Sequence, residues 1–211
     1  MSQAAALDHG LHVEPAESPL TPESWGKLGM WLFLAGDAMS FGGLIVGYAA
    51  LRMGTEACTG VLAPPACWPT PSTILGVPFT AVMTFLLICS SVTMVKALEA
   101  ISHDDRAGLR KFLGLTILGG ACFLGMQARE WTHLLTHVMT LTSKGLFGST
   151  FFVLTGFHGF HVFSGVVYLS CIRGNAEAYS AENHNAVEIV GLYWHFVDLV
   201  WILIFTFVYL V

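Results

Sequence analysis

Two apolar stretches of the chain carry ionisable side chains at the spacing of about one helical turn. The stretch "TGFHGFHVFSG" contains His158 and His161, and "YWHFVDLVW" contains His195 and Asp198. Residues three apart lie on the same face of an α-helix. This pattern is typical of a metal or haem site, and also of histidines that hydrogen-bond between closely packed helices. Spacing alone favours the hydrogen-bonding interpretation and leaves metal binding by the three imidazoles open.

Asp37 lies in a third apolar stretch, "LFLAGDAMSF". At about 1.5 Å of rise per residue, Asp37 lies about 14 Å from the inner end of its helix, and His158 about 18 Å from the outer end of its own. Because an unpaired buried charge is destabilising by several kcal/mol, Asp37 is expected to be protonated or to share a proton with an imidazole. Depth alone favours His158 as the partner, with His161 as the alternative on the same face.

Arg129 and Glu130 are adjacent in the stretch "GMQAREW". Neighbouring residues of a helix point about 100° apart, so these two side chains are not expected to pair with each other. Glu130 is expected near the outer end of its helix, at the wet interface.

The composition indicates a surface that faces lipid. The chain has 211 residues, of which 55% are hydrophobic and 11% charged, whereas about a quarter of the residues of a typical soluble domain are charged. The net charge of −5 and the scattered Lys and Arg residues argue against a nucleic-acid partner. The five cysteines are too few and too dispersed for a disulfide scaffold.

Five apolar stretches are long enough to cross a membrane, which takes about 20 residues per helix. The predicted fold is therefore an all-α, polytopic membrane protein whose single membrane domain, 28–211, follows a polar tail at 1–27. The tail lacks the basic and apolar regions of a signal peptide. The predicted spans are 28–52, 74–98, 112–135, 146–172 and 187–211.

The distribution of basic residues predicts the orientation, because Lys and Arg collect on the cytoplasmic side. A cytoplasmic N-terminus and a periplasmic C-terminus place six basic residues inside and two outside. The odd number of spans and the lack of an internal repeat argue against a secondary transporter. The inner group is Lys27, Lys96, Arg106, Arg110, Lys111 and Arg173, and the outer group is Arg52 and Lys144.

Cys58 and Cys67 lie in the first loop, "ACTGVLAPPACWP". The predicted orientation places this loop in the oxidising outer compartment, so a disulfide between them is expected, and closing a ring this small would add about 2–3 kcal/mol of stability. Cys89, Cys122 and Cys171 lie within spans and are expected to be reduced.

The segments "GSTFFVLTGFHGFHVFSGVVYL" and "YWHFVDLVWILIFTFVYLV" resemble subunit III of the haem–copper terminal oxidases. The likeness covers 25–211 and includes "LGMWLFLAGDAMSFGGL" and "GMQAREW", and the chain is similar to short bacterial members that lack the first two spans of mitochondrial-type members. Asp37 in "GD" is closer to the bo-type quinol oxidases, since cytochrome c oxidase members commonly have Glu there. "GMQAREW" and "YWHFVD" are closer to the cytochrome c oxidases, so cytochrome c is favoured as electron donor.

The resemblance implies an accessory, non-catalytic subunit of a bacterial inner-membrane oxidase that reduces O2 to water and translocates protons. The haems and copper would belong to partner subunits I and II, and this chain would hold no metal or other cofactor. It would pack against subunit I, support proton uptake and protect the catalytic core during turnover. The residues assigned to a buried, proton-related polar network are Asp37, Glu130, His158, His161, His195 and Asp198.

The resemblance also implies bound phospholipids, in a V-shaped cleft between the first two shared spans and the rest. Arg173 would bind a lipid phosphate, and His161 is also assigned to lipid binding. A glycine-rich face of the first span, with Gly36, Gly42, Gly43 and Gly47, suggests close helix contact within the chain or against subunit I. An independent transporter or channel and a haem- or metal-binding electron carrier are the alternative functions.

Overall fold

The computed structural model describes residues 25–57, 67–70, 75–138 and 146–210. Within these residues, five helices are long and apolar enough to cross a membrane, which confirms the predicted fold class and number of spans. The helices are α1 Trp25–Met53, α2 Val77–Ser102, α3 Arg106–His133, α4 Leu146–Gly174 and α5 Asn185–Ile204.

Two helices change their hydrogen-bond pattern at the same end of the bundle. α3 continues as a π-helix over Leu134–Val138, and α5 continues as a π-helix over Phe205–Leu210. A short 3-10 helix, Ala176–Ala178, lies in the connection from α4 to α5. π-Helical segments are rare and occur frequently at functional sites. This end of the bundle is therefore a candidate location for a functional site.

The helix ends follow local signals that shift the predicted boundaries. α1 begins at Trp25, so the last three residues of the predicted tail are helical. α3 begins six residues earlier than predicted, because the Asp105 side chain accepts a hydrogen bond of 2.9 Å from the backbone N–H of Gly108. Such a cap satisfies a donor that the first helical turn leaves unpaired. The preceding residue, Asp104, has φ of 60°, which turns the chain sharply between α2 and α3.

Four helices form a closed arrangement in which α2 packs on α3, α3 on α4, α4 on α5 and α5 on α2, while α1 lies against α4 and α5. The lipid-holding cleft stays a prediction, but the first two spans are not a unit separate from the other three. The reason is that α2 contributes buried side chains, such as Met83, Leu87 and Met94, to the same core as α5.

Large aromatic side chains fill the core where glycines allow close approach. A Cβ atom at Gly120 would lie 2.5 Å from Cη2 of Trp194, and one at Gly165 would lie 3.0 Å from the same ring. The glycines of α1 differ, because a Cβ atom at Gly36, Gly42, Gly43 or Gly47 would meet nothing within 4 Å. This glycine-rich face was expected to make close helix contact either within the chain or against subunit I. For the described residues, the first of these two expectations is wrong.

Candidate functional site

Indole N–H groups inside the bundle hold α5 to α2. Nε1 of Trp194 donates to Oγ of Ser90 at 3.1 Å, and Nε1 of Trp201 donates to Oγ1 of Thr84 at 2.9 Å. All four side chains are buried. Because an unpaired N–H would be costly in an apolar interior, these bonds set the register of the two helices and so position the histidines that α5 and α4 carry.

Asp37 of α1 lies beside His161 of α4, with 3.3 Å between Oδ2 and Nε2. His161 Nδ1 donates to the carbonyl of Phe157 at 2.8 Å, since a carbonyl can only accept. In the neutral ring, Nε2 therefore faces Asp37 with a lone pair. The contact therefore brings a carboxyl group of α1 and an imidazole nitrogen of α4 side by side inside the bundle.

The expected choice of His158 as the partner of Asp37 is wrong. The His158 ring stacks on Trp201, with 4.8 Å between ring centroids, and meets the edge of Phe123 at 5.7 Å. Within the described residues neither of its ring nitrogens has a hydrogen-bond partner. His158 is fully buried, and it belongs to the aromatic core between α3, α4 and α5.

His195 and Asp198 lie on α5, and His195 contacts α2. Nδ1 of His195 and Oγ of Ser91 on α2 are 2.7 Å apart. Asp198 is 7% exposed, and its Oδ1 has no hydrogen-bond partner in the described part of the chain. The described residues bring no three His, Cys, Asp or Glu side chains into a group that could hold a metal, so the three imidazoles are not assembled as one site.

Glu130 is buried rather than placed at a wet interface as expected, with 8% of its surface exposed. Oγ1 of Thr80 donates to Oε1 at 3.1 Å, and the Tyr209 hydroxyl donates to Oε2 at 3.3 Å. These contacts connect α2, α3 and the π-helical end that follows α5. Arg129 points elsewhere, over the Phe79 ring at 5.7 Å from its centroid, and the expectation that it does not pair with Glu130 holds among the described contacts.

Sequence reasoning missed several uncharged polar contacts. Gln127 donates from Nε2 to the carbonyl of Thr155 at 2.9 Å, which connects α3 to α4 beneath Gly159. The hydroxyls of Ser164 and Tyr193 are 2.7 Å apart and connect α4 to α5. Ser, Thr and Gln within apolar spans are a known signal of helix contact, and this signal could have identified them.

Cys67 is disulfide-bonded, and the thiols of Cys89, Cys122 and Cys171 are free. Cys58 lies outside the described residues, so its pairing with Cys67 stays a prediction. The flanking backbone is compatible with that pairing, because the N–H of Trp68 donates to the carbonyl of Glu56 at 2.7 Å and brings the two ends of the loop together.

The profile of the family described as cytochrome c oxidase subunit III matches residues 18–211, a range that includes every residue of the three polar groups above. The chain belongs to the cytochrome c oxidase subunit III family.

Relatives in this family match over most of their length. Cytochrome c oxidase subunit 3 of Thermostichus vulcanus is 33% identical over 210 residues, which are 98% of this chain and 93% of the relative. Cytochrome c oxidase subunit 3 of Synechocystis sp. is 40% identical over 188 residues, 86% of this chain and 74% of the relative. Cytochrome bo(3) ubiquinol oxidase subunit 3 of Pseudomonas aeruginosa is 33% identical over 184 residues, 86% of this chain and 83% of the relative.

The subunit III family resemblance assigned a lipid site to Arg173, and the structure places a cavity there. A cavity of 430 Å³ lies between the ends of α3 and α4, lined by Arg110, Ile117, Ser170, Arg173 and Gly174. Arg173 is exposed, and its Nε donates to the carbonyl of Arg110 at 3.2 Å. Two guanidinium groups therefore border this cavity, although Arg110 also forms an ion pair with Glu177 at 2.9 Å.

Proposed function

We propose that this chain is the accessory subunit III of a respiratory terminal oxidase that reduces O2 to water and translocates protons. The observation that carries the proposal is the family match over residues 18–211. The motifs that match are also the ones that build the core, since His158, Trp194 and Trp201 are all buried in the bundle. The relatives' names, cytochrome c oxidase subunit 3, support the same role.

In this proposal the chain is non-catalytic, and the haems and copper belong to subunits I and II. The surroundings of the interior histidines support this division. His158 stacks on an indole, His161 faces Asp37, and His195 contacts a serine hydroxyl. Each imidazole therefore contacts a different neighbouring side chain.

Subunit I is the proposed direct partner, and α1 is the proposed contact, with subunit II in the same complex. The α1 face with Gly36, Gly43 and Gly47 is open, because no described residue lies within 4 Å of a Cβ atom at these positions. Small residues let two helix backbones approach closely in a membrane. A helix of a partner subunit is the occupant that this face would accommodate.

The orientation is proposed from the six-to-two distribution of basic residues, with the N-terminus in the cytoplasm of a bacterium and the C-terminus in the periplasm. The basic residues of the inner group, such as Lys27, Arg106 and Arg173, lie at one end of the bundle, and Arg52 lies at the other. Protease added outside intact spheroplasts should leave residues 1–24 uncleaved, and cleavage there would reverse the orientation.

Phospholipids are proposed as further partners at the inner end of the bundle. An anionic phosphate would lie between the guanidinium groups of Arg173 and Arg110 in their 430 Å³ cavity, where bidentate binding is available. His161, the other residue assigned to lipid, lies against Asp37 in the middle of α4, away from this cavity, and its lipid contact stays a prediction.

The Asp37–His161 pair is the proposed proton-related element. Its 3.3 Å contact connects α1 to α4, and it can hold one proton between a carboxyl and an imidazole. Because α1 is the proposed contact with subunit I, this proton would be held next to the subunit whose uptake pathway the family is implied to support.

One experiment separates the three functional classes. The full-length chain, tagged at its C-terminus, is purified from membranes in mild detergent and its absorption spectrum is recorded. Recovery of a large haem-bearing partner supports the oxidase subunit, whereas a haem spectrum from the chain alone would support the electron carrier. Recovery of the chain alone without haem would contradict the oxidase role and favour a transporter or channel.

A quinol oxidase is the second candidate complex, because the Pseudomonas aeruginosa relative carries that name and Asp37 stands in a "GD" pair. Cytochrome c remains the favoured donor. The purified complex should consume O2 with reduced cytochrome c, and turnover with ubiquinol alone would assign the other branch.

A further inference from the structure

A cavity of 340 Å³ lies at the end of the bundle where α2 begins and α3 ends, opposite the end that carries Arg173. Ligand pockets are commonly about 300–1,000 Å³ in volume, mostly apolar, with a few polar groups that fix orientation. This cavity has that character, and Glu130 is the one residue of its lining with a role assigned above. Its lining is Leu75, Gly76, Phe79, Arg129, Glu130, His133 and Leu134.

A carboxyl group and a guanidinium group line this cavity without pairing with each other. Glu130 is held by the hydroxyls of Thr80 and Tyr209, and each carboxylate oxygen retains a further lone pair that can accept a hydrogen bond. Arg129 is exposed, and its guanidinium lies over the ring of Phe79. The cavity therefore presents a carboxyl group on one side and a guanidinium group on the other.

Both π-helical segments border this site. Leu134, which lines the cavity, begins the segment that follows α3, and Tyr209 lies in the segment that follows α5. An α-helix that widens to π geometry changes the direction of its side chains, and such changes are frequent at functional sites. Here the second segment brings the Tyr209 hydroxyl to Glu130.

Apolar surface continues from the cavity along α2 toward the middle of the membrane. Phe79 lines the cavity, and Val82 and Phe85, at the following turns of α2, are 54% and 66% exposed. Each step of three residues turns the side chain by about 60° around the helix, so the three side chains form a continuous apolar strip that winds slowly around α2. A molecule with a charged head in the cavity could lay its hydrocarbon chain on this strip.

We propose that this cavity binds the headgroup of a zwitterionic phospholipid with a primary ammonium group, the chemistry of phosphatidylethanolamine. The ammonium donates to the Glu130 carboxylate, the phosphate accepts from the Arg129 guanidinium, and an acyl chain lies along Phe79, Val82 and Phe85. The trimethylammonium of phosphatidylcholine has no N–H to donate. The headgroup of phosphatidylglycerol lacks the cation that Glu130 would bind.

The test uses the purified oxidase complex that carries this chain, and counts tightly retained phospholipids by native mass spectrometry. We expect Arg129→Gln and Glu130→Gln each to lose one phosphatidylethanolamine relative to wild type. Lys111→Gln and Glu99→Gln are matched controls, because both residues are exposed at the other end of the bundle, and they should retain the wild-type number. Arg129 is exposed, so its variant decides the outcome even where Glu130→Gln fails to assemble.

A second measurement identifies the headgroup. The delipidated complex is titrated with phosphatidylethanolamine, phosphatidylcholine or phosphatidylglycerol in mixed micelles. Wild type should retain the first about tenfold better than the other two, the factor that one charge-assisted hydrogen bond supplies, and Arg129→Gln should lose that preference. An unchanged lipid count in Arg129→Gln would overturn the proposal, and so would equal retention of the three lipids by wild type.

Discussion

Replacing Gly120 with alanine tests how tightly the described packing holds Trp194. A Cβ atom at Gly120 would lie 2.5 Å from Cη2 of Trp194 and 2.7 Å from Cγ2 of Val166. Carbon atoms in contact are ordinarily about 3.5–4.0 Å apart, so the indole would have to move by about 1 Å. Such a movement would strain the 3.1 Å hydrogen bond from its Nε1 to Ser90.

The expected loss of stability follows from these contacts. Overpacking a well-packed interior is destabilising by about 1–3 kcal/mol, and a shift that breaks the bond to Ser90 would add about 1–3 kcal/mol for the unpaired indole N–H. Gly125→Ala is the matched control on the same helix, since a Cβ atom there meets nothing within 4 Å. Alanine improves the intrinsic helix preference by about 1 kcal/mol in both variants, so the difference between them reports the steric conflict.

The assay is thermal unfolding of the purified full-length chain in one detergent, for wild type and both variants. A domain of this size loses roughly 2–4 °C of melting temperature per kcal/mol, so Gly120→Ala should melt below Gly125→Ala by at least about 2 °C. Equal melting temperatures of the two variants would refute the packing of Trp194 against α3 and the reasoning built on it.

Three further predictions concern the polar groups and the outer loop. Asp37→Asn should assemble normally, because the amide preserves shape, and should shorten the turnover lifetime or lower the proton-to-electron ratio of the complex; wild-type values for both would leave only a structural role. Trp201→Phe should destabilise the chain by about 1–3 kcal/mol in unfolding experiments, because the Thr84 hydroxyl loses its donor; a melting temperature equal to wild type would contradict that bond. Cys58 and Cys67 should resist alkylation until a reductant is added, and labelling of both without reductant would exclude the disulfide. The reduced chain should lose about 2–3 kcal/mol of stability.

Some local features could be predicted from sequence because they depend on residues close together in the chain. Five apolar stretches predicted five helices, since a membrane requires every backbone group of a span to be satisfied within it. The early start of α3 was missed at sequence level, although Asp105 before a helical run is a recognisable cap. The family was also identifiable, because its motifs are continuous stretches around His158 and His195.

The sequence could not predict in the same way which histidine contacts Asp37. His158 and His161 lie one turn apart at similar depth, and their side chains differ in direction by about 60° around α4. That angle decides which histidine meets Asp37 and which stacks on Trp201, and it depends on how α1 and α5 pack against α4. Depth along a helix is a property of the sequence, but direction toward a neighbour is not.

Glu130 shows the same division between sequence and tertiary structure. Its sequence position placed it near the end of a span, which is correct for α3, and suggested exposure to water, which is wrong. The carboxylate is buried because Thr80 and Tyr209, which are 50 and 79 residues away in the chain, bring hydroxyls to it. Hydrophobic length and periodicity are local and determine how many helices form. Burial and pairing depend on the rotation and relative height of helices distant in sequence, and only the interlocking of their side chains in the folded bundle decides these.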